Sequence, residues 1–79
     1  MSVKVLFFGA TASVTGKRQI EVAVEGTTRA SKIFDDVLSQ YPALTSHRLL
    51  FSLNQTYADG SERISDGDEL AIFTAVSGG

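Results

Sequence analysis

The chain is 79 residues long, a length that fits one domain with one modest hydrophobic core. It contains no cysteine, so neither a disulfide nor a thiolate metal site supports the fold, and apolar packing must do so. Hydrophobic residues make up 43% of the chain and charged residues 20%, a balance that argues against disorder. The net charge is −2, and the sequence has no run of Lys or Arg that could bind along a phosphate backbone. Nucleic acid is therefore not an expected partner.

The first third of the chain predicts two paired strands. Residues 3–8 alternate β-branched and aromatic side chains with others and end at Gly9, as a strand does. This stretch is too short to span a membrane and has no signal-peptide cleavage pattern, so we expect a cytoplasmic protein with no membrane partner. Residues 9–16 allow a short helical turn that Gly16 would end in a left-handed conformation. Period-two alternation over residues 20–24 predicts the second strand.

The middle of the chain predicts one amphipathic helix. Pro42 disfavours helical geometry at the residue before it, so the helix is predicted from about residue 29 to residue 40. Thr27 or Thr28 is placed to cap the first turn with its hydroxyl. The residues that recur with a 3.6-residue period and share one face are Ala30, Ile33, Phe34, Val37, Leu38 and Tyr41.

The last third predicts three more strands. Alternation over residues 49–54 indicates a third strand, a short fourth strand surrounds Tyr57, and turn residues at 65–68 precede the last strand at 69–74. One helix must then cover one face of a mixed sheet of four or five strands, which is an α+β, β-grasp (ubiquitin-like) fold. A ferredoxin-like fold would need a second long helix, and no second 3.6-residue period is present. We expect one domain over residues 1–74 and a flexible tail over 75–79.

The chain ends in Gly78 and Gly79, and this pair is the first signal that bears on function. A frayed terminus is the ordinary interpretation of small terminal residues. A tail leaving a central strand, however, would reach about 20 Å over six residues, and glycine passes a narrow channel because it has no Cβ. The reactive group would be the terminal carboxylate, which is ionised and unreactive at neutral pH and must be activated by a separate ATP-using enzyme.

The second signal is an apolar surface beside the tail. If the odd-numbered apolar residues of the first strand face the helix, then Leu6 and Phe8 point away from the core, as Ala71 and Phe73 do in the last strand. Because the first and last strands of a β-grasp lie side by side, these four residues form one patch that suits a protein partner. The alternative is that the first strand has the opposite phase, or that loop residues cover the patch.

A metal site and a nucleotide site have less support from the sequence than the C-terminal glycines and the apolar surface have. His47 has no second histidine or carboxylate pair at ligand spacing, so no metal site is predicted. A phosphate-binding loop has four residues between its glycines and a Ser or Thr after its lysine. The segment from Gly9 to Gly16 has six residues between its glycines, and Arg18 follows Lys17, so this segment is not predicted to bind a nucleotide.

Four segments together resemble the small sulfur-carrier subunit of molybdopterin synthase, a family related to the sulfur carrier of thiamine-thiazole synthesis. They are residues 3–8, 54–56, 65–73 and 76–79. The resemblance implies that an adenylating enzyme related to ubiquitin activators converts the Gly79 carboxylate to an acyl-adenylate, using ATP. A persulfide sulfur would then turn it into a thiocarboxylate.

The same resemblance implies a second partner, the large subunit of molybdopterin synthase, into which the tail inserts to donate sulfur to a pterin precursor. Phe73, Val76 and Ser77 match the docking positions of the family. Beyond Gly78 and Gly79, no catalytic residue and no bound cofactor or metal are implied for this chain.

Two departures from the family pattern leave alternatives open. Many relatives have Pro-Pro where Thr74-Ala75 stand here, and an Arg-Glu pair in place of Ala12-Ser13. The alternatives are the sulfur carrier of thiamine-thiazole synthesis, a ubiquitin-like modifier joined to target lysines, and a ubiquitin-like module that only binds. We favour the molybdenum pathway.

Overall fold

The computed structural model describes residues 1–75, and the predicted site residues Val76, Ser77, Gly78 and Gly79 lie outside the described residues. In that part of the chain no helix has the length and apolar character needed to cross a membrane. The longest connection between elements is residues 58–68, between the last two strands. In chain order the elements are β1 Ser2–Phe7, α1 Ala10–Thr15, β2 Gln19–Ala23, α2 Ala30–Gln40, a 3-10 helix Pro42–Ser46, β3 Leu49–Leu53, β4 Thr56–Tyr57 and β5 Glu69–Thr74.

The five strands form one mixed sheet in the order β2-β1-β5-β3-β4. β1 and β5 run parallel at its centre, and every other neighbouring pair is antiparallel. α2 covers one face, so the predicted β-grasp fold is confirmed. Since β5 has a hydrogen-bonded neighbour on each side, the chain leaves the sheet at Ala75 from the middle rather than from an edge.

The core lies between the sheet and α2, and it fixes the phase of both central strands. Val3, Val5 and Phe7 of β1 have exposed fractions of 0, 0 and 3%. Leu70 and Ile72 of β5 are fully buried beside them. The predicted phase of the first strand is therefore confirmed, and the alternative of an opposite phase is wrong. α2 contributes Ile33 and Val37, and the 3-10 helix contributes Leu44.

Three helix ends were predicted from the sequence, and two of these predictions are confirmed. Gly16 ends α1 with φ 73° and ψ 13°, the left-handed conformation predicted for it. Pro42 begins the 3-10 helix directly after α2, as expected of a residue that cannot continue an α-helix.

The predicted threonine cap of α2, by Thr27 or Thr28, is wrong. The N-cap residue is Arg29, and no side chain caps the helix. The first two helical N–H groups donate instead to the backbone carbonyls of Glu62 and Gly60, at 2.8 and 3.0 Å. A distant loop satisfies the free donors of the helix N-terminus, so a local hydroxyl is not required.

The loop that caps α2 is held by its own carboxylates. Glu62 accepts hydrogen bonds from the N–H groups of Asp59 and Gly60 at 3.0 and 2.9 Å. The hydroxyl and N–H of Ser61 donate to Asp59, and these bonds lower the pKa of that carboxyl below its ordinary value of 3.8. Gly60 has φ 104°, and an added Cβ would lie 3.1 Å from the Cβ of Ser31, so this position requires glycine.

Replacing a central core residue tests the assignment of the two faces of the sheet. Leu70→Ala should lower the free energy of unfolding by about 2–5 kcal/mol, because Leu70 is fully buried and its truncation leaves a cavity. Leu50→Ala, on the opposite face and 39% exposed, is the control and should lower it by less than about 1 kcal/mol. Urea denaturation followed by circular dichroism measures both, and equal losses would contradict the face assignment.

Candidate functional site

The outer face of the sheet, opposite α2, carries the four residues predicted to form an apolar surface. Leu6 of β1 is the cross-strand neighbour of Ala71 in β5, and both are half-buried. Phe73 follows two residues further along β5 and is half-buried as well. Phe8 comes directly after β1, has an exposed fraction of 53% and lines the same cavity as Leu6. The structure thus brings all four to the end of the sheet from which the chain leaves.

Two further residues belong to this surface, and the sequence analysis missed them. Leu50 of β3 is paired with Phe73 and is 39% exposed. Tyr57 of β4 is 74% exposed, and its ring centroid lies 5.9 Å from that of Phe73. The alternation of β3 signals that Leu50 points outward, but only the pairing of β3 with β5 places it here. We call the whole set the apolar patch: Leu6, Phe8, Leu50, Tyr57, Ala71 and Phe73.

A cavity of about 400 Å³ opens at one edge of the apolar patch, where β1 and β2 meet α1. Its walls are mostly apolar, with one cationic side chain, Arg18, at the rim. The cavity extends the apolar patch sideways, away from β3. Its lining residues are Leu6, Phe7, Phe8, Gly9, Ala12, Arg18 and Gln19.

Thr11 is a buried polar residue beneath the exit of the chain. Its hydroxyl accepts a hydrogen bond from the N–H of Phe8 at 2.9 Å, and lies 2.8 Å from the carbonyl oxygens of both Phe8 and Ile72. A hydroxyl has one hydrogen, so it donates to one of these carbonyls at a time. Thr11 thereby ties α1 and β1 to β5 just before β5 ends. Thr11 was not predicted from the sequence, because a threonine among small residues forms no pattern of its own.

The opposite side of the exit is held by β3. The N–H of Ala75 donates to the carbonyl of Arg48 at 3.0 Å, and Thr74 is paired with Leu49. The chain is therefore fixed on both sides up to its last described residue. Any segment beyond Ala75 starts from a defined position next to Phe73 and the apolar patch.

The described residues include no cluster suited to a metal ion. Between residues 1 and 75 there is no group of three or more His, Cys, Asp or Glu side chains able to hold a metal ion. His47 is exposed at the end of the 3-10 helix. What this region provides is a held exit for the chain and the apolar patch beside it. Gly78 and Gly79, the residues predicted to take part in bond-making, are not among those described.

The mixed sheet, the single covering helix and the central C-terminal strand define a β-grasp, ubiquitin-like protein. The chain belongs to the ThiS family, whose sequence model matches residues 5–79. This confirms the resemblance to the small sulfur carriers that the sequence indicated.

Relatives and solved structures agree with this membership. The chain is 34% identical to the molybdopterin synthase sulfur carrier subunit of Mycobacterium tuberculosis, covering 100% of this chain and 99% of that protein. It is 30% identical to SAMP1 of Haloferax volcanii, with a TM-score of 0.87 and full coverage of both chains. A chain from the complex of subunits 1 and 2 of the molybdopterin-converting factor of Helicobacter pylori shares the fold at 22% identity, with a TM-score of 0.72 and full coverage of both chains.

The Thr11 hydroxyl should be required for a stable base beneath the exit. Thr11→Val keeps the shape but removes the nearer acceptor of the Phe8 N–H, at 2.9 Å, and leaves it only the Ile72 carbonyl at 3.4 Å, so it should lower the free energy of unfolding by about 1–3 kcal/mol. Thr11→Ser keeps the hydroxyl and should lower it by about 1 kcal/mol or less. Urea denaturation of the three proteins measures the difference, and a valine variant as stable as the serine variant would rule out this role.

Proposed function

We propose that this protein is the sulfur carrier of molybdopterin synthesis. The observation that carries the proposal is the similarity, over the whole chain including Gly79, to proteins named molybdopterin synthase sulfur carrier subunits. The globular part positions the C-terminus, and the chemistry takes place on the Gly79 carboxylate in the active sites of other proteins. The chain is then a co-substrate and a non-catalytic subunit rather than an enzyme.

The carboxylate requires activation before it accepts sulfur. In the proposed sequence, an adenylyltransferase of the ubiquitin-activating type transfers AMP from ATP to a carboxylate oxygen of Gly79 and releases pyrophosphate. The terminal sulfur of a protein persulfide then displaces AMP and forms an acyl persulfide. A thiol of the sulfur-donating protein attacks the inner sulfur of that acyl persulfide, which releases the thiocarboxylate and leaves a disulfide on the donor. The carrier supplies the acyl group and binds no cofactor itself, and the ATP is bound by the activating enzyme.

The proposed receiver of the sulfur is the large subunit of molybdopterin synthase, bound through the apolar patch. Three features support this. The relatives are named as subunits, the Helicobacter pylori chain of this fold was solved with its subunit 2, and the apolar patch surrounds the base of the tail. Val76, Ser77, Gly78 and Gly79 would extend from Ala75 into the pterin site, in a cytoplasmic complex without nucleic acid or membrane.

A ubiquitin-like protein modifier is the second candidate. The favouring observation is the similarity to SAMP1, since the Haloferax volcanii protein of that name is called a small archaeal modifier protein. A modifier uses the same activated Gly79, but the acceptor is a lysine amine of a target protein. The sulfur carrier of thiamine-thiazole synthesis is the third candidate and differs only in the protein that consumes the sulfur.

Intact-mass spectrometry separates a sulfur carrier from a protein modifier. When the protein is mixed with its activating enzyme, ATP and a sulfide source, its mass should rise by the exchange of one oxygen for one sulfur. A variant that lacks Gly78 and Gly79, and a reaction without ATP, should show no change. Lysine-linked conjugates without any sulfur-containing species would instead indicate a modifier.

Docking on the large subunit should depend on the aromatic residues of the apolar patch. Phe8→Ala and Phe73→Ala should each weaken binding at least about ten-fold, because aromatic side chains at the centre of an interface contribute most of its affinity. Ala43→Ser, an exposed position on the helix side of the sheet, should bind like the unchanged protein. Isothermal titration calorimetry gives the dissociation constants, and equal affinities for all three variants would exclude this surface.

A further inference from the structure

The charges of the described residues are separated along the sheet. The exit end, where the chain leaves at Ala75, is built from segments 7–19, 41–50 and 72–75, and these contain no Asp or Glu at all. The chain as a whole has nine acidic residues and a net charge of −2. An end without acids is therefore not a consequence of overall composition.

Three cations surround the exit. Lys17 and Arg18 lie beside the end of β1, where the N–H of Phe7 donates to the carbonyl of Arg18 at 2.8 Å. Arg48 lies on the other side, where its carbonyl accepts the N–H of Ala75. All three side chains are exposed. We call Lys17, Arg18 and Arg48 the basic rim.

Within residues 1–75 the basic rim has no carboxylate partner. The ion pair found there joins Lys32 to Asp36 on α2, at 2.6 Å. Several of the acids lie at the opposite end of the sheet, where the carboxylate of Asp66 accepts the N–H of Ser2 at 2.8 Å. Asp68 lies at that end as well, with its carbonyl accepting the N–H of Lys4 at 2.9 Å.

We propose that the basic rim pairs with carboxylates that surround the tail-receiving cleft of the large-subunit partner. The inference rests on the proposed function, because it takes the partner to be the protein that receives the tail. Arg18 lines the cavity beside the apolar patch together with Leu6 and Phe8, so at Arg18 the basic rim adjoins the patch. The partner surface that fits has an apolar centre, one apolar side chain for the cavity, and acidic groups on both sides.

The charge arrangement determines what the rim contributes. Exposed ion pairs add little affinity but speed diffusional encounter and select against partners of the wrong charge. Long-range steering is strong at low salt and screened over roughly 8 Å at physiological ionic strength. An acidic protein with a basic exit end would approach carboxylates at the mouth of the cleft with that end leading, because the acidic opposite end is repelled.

Association kinetics with the purified large subunit test the proposal. Arg18→Glu and Arg48→Glu, measured by stopped-flow at low salt, should each slow association about ten-fold, and the difference should disappear at high salt. Arg63→Glu is the matched control. It makes the same charge change at an exposed position near the start of α2, away from the exit, and should associate like the unchanged protein. Circular dichroism checks that every variant is folded.

Two results would overturn the proposal, and they separate it from the proposed function. If Arg18→Glu and Arg48→Glu associate as fast as the unchanged protein, or if Arg63→Glu is slowed equally, the basic rim has no local role, although the carrier still docks. If the unchanged protein does not associate with the large subunit at any salt concentration, the proposed function fails and this inference fails with it.

Discussion

The parallel pairing of β1 with β5 is the constraint on which the rest of the structure depends. It pairs the first and the last strand of the chain at the centre of the sheet, with Val5 beside Leu70 and Phe7 beside Ile72 on the buried side. The same register sets Leu6 beside Ala71 on the outer side. A shift by one residue would exchange the two faces and lose both the core and the apolar patch. One register therefore secures the stability of the domain and the surface beside its C-terminus.

The part of the chain that holds the exit in position is separate from the C-terminal residues that are proposed to react. Everything described up to Ala75 is fixed: Thr11 ties β5 to α1 and β1, and the carbonyl of Arg48 ties its end to β3. Residues 1–75 contain no group of three or more His, Cys, Asp or Glu side chains able to hold a metal ion. A carrier handled by more than one enzyme gains from this division, since each enzyme brings its own active site and needs only a common surface to grip.

The sequence predicted most of this fold because its patterns are local. Alternation in β1 and β5 and the 3.6-residue period of α2 follow directly from which residues become buried. The errors came from contacts between distant segments. Thr27 and Thr28 had the right chemistry for a cap, but a loop some 30 residues later supplies the acceptors. Leu50 and Tyr57 were not predicted as part of the apolar patch, because the sequence of one strand does not show which strand it will pair with. Thr11 was missed because its partners are carbonyls, which leave no trace in a sequence.

The central pairing also has a consequence for how the protein is made. A ribosome synthesises β1 first and β5 among the last residues of the domain, so β1 lacks its parallel neighbour during nearly all of translation. Until then only local units such as α2 and the β1–β2 hairpin can form, and the contacts that close the sheet span most of the chain. Such topologies fold slowly for their size and expose unpaired strand edges meanwhile. The nascent chain thus acquires its native centre only when residues 69–74 have emerged.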